Sequence, residues 1–126
     1  MSLFTEAGFA GAIAELPAAT LVEQWESHVG KVGGKVFALL AGDGSGISFK
    51  VPETSFEILG AVDGIGQAPY FARRHWVRVT PTAALPEAEL RAYVAASHRL
   101  VAAGLTRRVR AQLALPEAEF GRAAPR

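Results

Sequence analysis

Two adjacent glycines, Gly33 and Gly34, separate short apolar and β-branched stretches within the run from Lys31 to Leu40. Glycine tolerates the pair of positive φ angles that a type I′ turn needs, and that turn matches the twist of paired strands. The pattern predicts a hairpin with arms near residues 28–32 and 35–41. The flexible, polar segment Gly42-Asp-Gly-Ser-Gly46 then turns the chain into a further strand from Gly46 to Val51. Upstream, Leu21, Glu23 and Trp25 alternate with Val22, Gln24 and Glu26, which reads as a strand from Thr20 to Trp25. Over so short a length a helical turn fits that segment as well. An antiparallel meander is the economical arrangement.

Helical periodicity surrounds these strands. Thr5 is placed to cap a first helix carrying Phe9, Ile13 and Leu16 on one face, and Pro17 ends it. Pro52 opens a second helix with Phe56, Leu59 and Val62 on its buried side, after which Gly60, Gly64 and Gly66 loosen the chain. Residues 75–80 alternate again, with Val77 and Val79 facing one way and Trp76, Arg78 and Thr80 the other. A last long helix starts near Pro86; Leu90, Tyr93 or Val94, Ser97 and Val101 form its stripe, with Arg91 and Arg99 outside the centre. The sequence Leu-Pro-Glu-Ala-Glu occurs at 85–89 and again at 115–119. Both copies read as helix starts, where proline loses no hydrogen bond and acidic side chains meet the positive helix end. The order helix, three-stranded meander, helix, strand, helix predicts an α+β two-layer domain. Its antiparallel sheet has about four or more strands, with the helices packed on one face. A chain of 126 residues that is half apolar closes one core. Residues 1–105 are expected to form that domain and 106–126 a basic, partly helical extension whose end, from Gly121, frays.

Composition excludes several chemistries. There is no cysteine, hence no disulfide framework, thiolate metal site or cysteine nucleophile, in keeping with a reducing cytoplasm. No apolar run approaches the roughly 20 residues of a membrane-spanning helix, and the first residues carry no basic segment that marks export. His28, His75 and His98 lack the spacings that set two imidazoles around an ion, so no metal and no cofactor are expected. Ser45 sits in Asp-Gly-Ser-Gly-Ile, which is not a nucleophile elbow, and Gly42-x-Gly44 lacks the downstream glycine of a phosphate cradle. The pairs Glu87/Glu89 and Glu117/Glu119 are two residues apart on helix starts and do not face each other. A non-enzymatic protein is the expectation.

The net charge of +1 conceals two unlike halves. Residues 1–63 carry three Lys/Arg against eight Asp/Glu, a balance of −5, whereas residues 64–126 carry ten Arg against four Glu, a balance of +6. Arginine donates paired hydrogen bonds to phosphate and carboxylate, so a polyanionic partner fits the second half, as do ordinary solvated helix faces.

Over Leu16 to about Leu105 the chain resembles the MmcQ/YjbR family. The resemblance rests on Lys31-Val-Gly-Gly-Lys-Val-Phe-Ala-Leu-Leu40, Ser48-Phe-Lys-Val51, Ala68-Pro-Tyr-Phe-Ala-Arg73 with Trp76-Val77, and Glu89-Leu-Arg91 through Arg99-Leu-Val101. It implies a fold similar to CyaY-like proteins and to double-wing DNA-binding domains. It further implies a helix-free sheet face or flanking wings against a duplex, and no catalytic residues. The chain departs from the family pattern at Gly30, where many relatives carry a bulky residue, and at His28, where proline is common.

From the residues themselves, the candidate phosphate contacts are Lys35, Lys50, Arg73, Arg74 and Arg78. Trp76 shares strand parity with Arg78, which would put a stacking ring and a cation on one face; the same Trp also fits the core. Arg107, Arg108 and Arg110 form a second basic cluster that suits a helix end as well as nucleic acid. The leading expectation is a cytoplasmic DNA-binding domain. The alternative is a small-molecule or protein interaction module, with a homodimer among its partners, built on an aromatic pocket near Tyr70, Phe71 and Trp76. Exposure of Trp76 and Arg78 discriminates them: a flat basic face favours nucleic acid, an aromatic cleft a ligand.

Overall fold

The computed structural model describes residues 2–121, so most of the tail expected to fray lies outside the described residues. Thr5 caps α1 (Glu6–Ala14), its hydroxyl accepting from the Gly8 N–H at 3.1 Å. The chain then forms β1 (Ala19–Gln24), β2 (Ser27–Val32), β3 (Lys35–Ala41) and β4 (Ile47–Lys50), a continuous meander. After α2 (Glu53–Gly60), the strands β5 (Ile65–Gln67) and β6 (Trp76–Val79) complete a sheet ordered β1-β2-β3-β4-β6-β5. Every neighbouring pair is antiparallel. The helices α3 (Glu87–Ala103), α4 (Arg107–Gln112) and α5 (Glu117–Phe120) follow.

Gly33 and Gly34 adopt φ of 58° and 79°, the two positive values of a type I′ turn. The same geometry recurs one hairpin earlier without glycine: Trp25 and Glu26 stand at 55° and 56° between the paired Gln24 and Ser27. The expected three-stranded meander is therefore four-stranded. Beyond Gly60, where the glycines suggested only loose chain, β5 pairs with β6 as an edge strand, and Gly64 enters it at φ 90°.

Strand parity sorts the residues into two faces. Ala38, Phe49 and Val77 form one transverse row, and Leu40, Ile47, Val79 and Ile65 the next. These rows join Phe9 and Ile13 of α1, Leu59 of α2, and Leu90, Val94 and Val101 of α3 in one buried cluster. The helices thus cover a single sheet face, as the two-layer pattern requires. Gly30 lies beneath α1, where an added Cβ would meet Ile13 Cδ1 at 2.8 Å and Phe37 Cζ at 3.2 Å. That contact accounts for glycine where a bulky residue was the family expectation. Beyond Ala38 and Phe49 the strands β3 and β4 part, and the fully buried Ser97 of α3 bridges them. Its hydroxyl donates to the Phe37 carbonyl at 2.7 Å and accepts from the Lys50 N–H at 2.8 Å. After α3 the chain folds back, placing Leu115 and Phe120 in the same core. Both Leu-Pro-Glu-Ala-Glu segments begin helices, α3 and α5.

Candidate functional site

On the face away from the helices, one row crosses all six strands: Val22, Val29, Leu39, Ser48, Arg78 and Gly66. Two connections rise beside it. The β1–β2 turn carries Trp25, which is 63% exposed, and the β5–β6 connection carries Tyr70, fully exposed, and Phe71. Trp25, Tyr70 and Phe71 wall a cleft of about 530 Å³ floored by Leu39, Ser48 and Arg78. That volume falls within the roughly 300–1,000 Å³ of small-molecule sites.

The walls are built, not loose. Tyr70 has φ 70°, a left-handed conformation rare for an aromatic residue, as does Trp25. Gln67 spans the base of the Tyr70 connection, donating to the Ala68 carbonyl at 2.8 Å and accepting from the Arg74 N–H at 3.0 Å. The Arg74 guanidinium then ties the connection to α2 through Glu53, at 3.0 Å, and Glu57. Phe71 lies flat on Trp76, with ring centroids 4.0 Å apart and an interplanar angle of 14°. Trp76, only 7% exposed, is thereby closed off as a stacking platform for an external base.

Arg78 lies across Gly46, where an added Cβ would meet its Cζ at 2.5 Å, so glycine leaves room for the guanidinium. Its Nη2 donates to Ser45 Oγ at 2.9 Å. Ser45 also engages Asp43, with its backbone N–H 3.0 Å from Oδ1; these bonds, and the Arg78 charge beyond them, lower the Asp43 pKa. Asp43 is exposed and stands outside the cleft lining.

The residues picked from the sequence therefore separate. Lys35, Lys50 and Trp76 meet around a different hollow of about 300 Å³, closed by Leu100, Val101 and Leu105 near the end of α3. Arg78 belongs to the aromatic cleft, Arg73 is exposed on the connection, and Arg74 is taken up by two glutamates. In the second cluster, Arg110 is 4% exposed and holds Glu117 through Nε at 2.6 Å and Nη2 at 3.1 Å. Its Nη1 reaches the carbonyls of Ala103, at 3.1 Å, and Leu105, closing the end of α3. The shared bonds lower the Glu117 pKa and raise that of Arg110. Arg107 lies 3.5 Å from Glu117, and Arg108 is exposed. Sequence reasoning missed Trp25, Leu39 and Ser48, which enter the site only through the extra hairpin and the row pairing.

The histidines do not converge. His98 is buried, its Nε2 donating to the Pro17 carbonyl at 2.8 Å, and His75 is exposed. His28 pairs with Glu6 at 3.5 Å; with Glu23 these two supply three ligand-type atoms within 4.8 Å of one another, a grouping that the spacing of histidines alone does not reveal. Both glutamates are exposed, and the His28–Glu6 contact links α1 to the sheet. Among the described residues no helix is long and apolar enough to cross a membrane.

No curated protein matches the chain. Among solved structures it is similar to the Deinococcus radiodurans protein DR2400, described by its DUF419 domain. The identity is 27%, the TM-score is 0.78, and 90% of each chain is covered. A Pseudomonas syringae protein shares the fold at 20% identity and TM-score 0.63, over 76% of this chain and 97% of its own. The family model described as YjbR matches residues 14–100, well over half of the sequence, and the chain belongs to the YjbR family.

Proposed function

We propose that this protein is a non-enzymatic binding domain whose ligand is a small, planar, largely apolar molecule held in the open-face cleft. The observation that carries this reading is the pair of exposed aromatic residues, Trp25 and Tyr70. Both are held at positive φ and line one cleft over the Leu39, Ser48 and Arg78 floor. Strained backbone persists where the surrounding structure fixes it, and it clusters at ligand clamps. Large exposed aromatic surface costs solvation that a stacked ligand would recover. Among the described residues the cleft lining holds no pair of groups in the nucleophile-and-base relation that covalent or acid–base chemistry needs. The test is a two-dimensional amide NMR titration with 2-naphthamide. Shifts should cluster at Trp25, Leu39, Ser48 and Phe71, and the double variant Trp25→Ala/Tyr70→Ala should weaken binding about tenfold or more. Shifts scattered over the helices would reject the cleft.

DNA remains the second reading. In its favour, Lys35 and Lys50 stand together beside Trp76, and among the described residues no carboxylate lies within ion-pair distance of either. Against the open-face version, Trp76 is covered, Arg74 is neutralised and Arg78 sits inside the cleft.

A further inference from the structure

Arg78 is half-buried, and among the described residues no carboxylate comes within ion-pair distance of it. Its one side-chain partner among the described residues is the Ser45 hydroxyl, which uses a single N–H of the five that a guanidinium carries. Partial burial of a charge is unfavourable unless that charge is paired. The plane of the group is nonetheless set, because it lies against Gly46 with no room for a Cβ between them.

Ser48 stands directly opposite Arg78 in the β4–β6 pairing, on the same face. It is only 4% exposed, lines the cleft, and its hydroxyl has no hydrogen-bond partner among the described residues. Ser48 Oγ is not among the fully enclosed unpaired polar atoms, so the hydroxyl reaches the cleft and is open to a partner there. Arg78 and Ser48 together offer a fixed cationic fork and a hydroxyl donor beside the apolar walls, and among the described residues no acidic side chain lines the cleft.

Resting on the cleft reading above, we infer that the ligand is a small aromatic monocarboxylate, its ring between Trp25 and Tyr70 and its carboxylate on Arg78 and Ser48. Charge decides carboxylate over phosphate. One guanidinium matches one negative charge, whereas a phosphate monoester carries about −1.5 to −2 at neutral pH. Asp43, reached through Ser45, further disfavours a dianion.

The experiment compares 2-naphthoate, 2-naphthamide and 2-naphthyl phosphate by isothermal titration against the wild-type chain, Arg78→Gln and Ser48→Ala. Circular dichroism establishes that each variant is folded. The expected result is naphthoate binding about tenfold or more tighter than naphthamide. Arg78→Gln should erase that preference, bringing naphthoate down to the level of naphthamide. Should Arg78→Gln not fold, Ser48→Ala carries the test, weakening naphthoate several-fold and by more than naphthamide. Equal affinity for naphthoate and naphthamide overturns the carboxylate but leaves the cleft. Tighter binding of naphthyl phosphate overturns the monocarboxylate in favour of a phosphate ester. Failure of all three probes overturns both the inference and the cleft reading.

Discussion

Ser97 shows how one hydroxyl joins the two layers. Where β3 and β4 separate, it replaces the missing interstrand bond by accepting from Lys50 and donating to Phe37, inside a fully buried environment. Ser97→Ala leaves a buried N–H and a buried carbonyl unpaired, so it should cost about 1–3 kcal/mol. The expected observation is a lower urea midpoint with an unchanged m-value. The next residue, His98, is enclosed by the rings of Phe37 and Phe120, at centroid distances of 5.1 and 5.6 Å. Burial lowers its pKa, opposed by the Pro17 carbonyl and assisted by the nearby Arg99 charge. The unfolded chain therefore takes up the proton first. The neutral-histidine contribution is complete above the ordinary value of about 6.5 and is lost as pH falls below it towards the folded pKa. A thermal scan from pH 7.5 to pH 5 should show Tm falling in that window, with a flatter profile for His98→Gln.

At the scale of elements, the two hairpin turns make a natural comparison. Gly33 and Gly34 meet the positive-φ requirement at little cost, while Trp25 and Glu26 meet it against their preference. Replacing Trp25-Glu26 by Asn-Gly should stabilise the fold by about 1 kcal/mol or more, because that pair suits a type I′ turn and the indole is mostly exposed. It should also remove one wall of the cleft and weaken 2-naphthamide binding. Denaturant midpoints and the same NMR titration read the two effects on one variant, and a gain in stability with unaltered binding would remove Trp25 from the site. This contrast also explains what was legible in the sequence. Glycine announces the β2–β3 turn, and proline with first-turn glutamates announces α3 and α5. Nothing in Trp25-Glu26 announces a turn, because tertiary context holds those residues in place. β5 is three residues long with glycine at its centre, too little for periodicity to register. Parity placed Arg78 and Trp76 on one face correctly, but the cover that Phe71 lays over Trp76 depends on a connection whose path local pattern does not specify.

At the scale of the molecule, the opposed charges of the two halves are partly consumed in holding the chain together. Arg74 crosses from the basic half to Glu53 and Glu57 of the acidic half, while Arg99, Arg107 and Arg110 find Glu119 and Glu117. Of the cations first assigned to phosphate contacts on the sheet, Lys35, Lys50, Arg73 and Arg78 remain outside such pairs among the described residues. They do not share one surface, since Arg78 lines the aromatic cleft and Lys35 and Lys50 the hollow beyond Trp76. Each phosphate neutralised on a duplex contributes about −0.9 to the slope of log K against log salt, so four contacts set a limit near −4. Fluorescence anisotropy with labelled duplex DNA should accordingly show weak binding, a slope no steeper than about −4, and a shallower slope for Lys50→Ala/Arg78→Ala. A steeper slope, or micromolar affinity retained at physiological salt, would require a basic surface larger than these residues form and would restore DNA as the leading ligand. Binding of 2-naphthamide, which carries no charge to exchange for counterions, should change little across the same salt series.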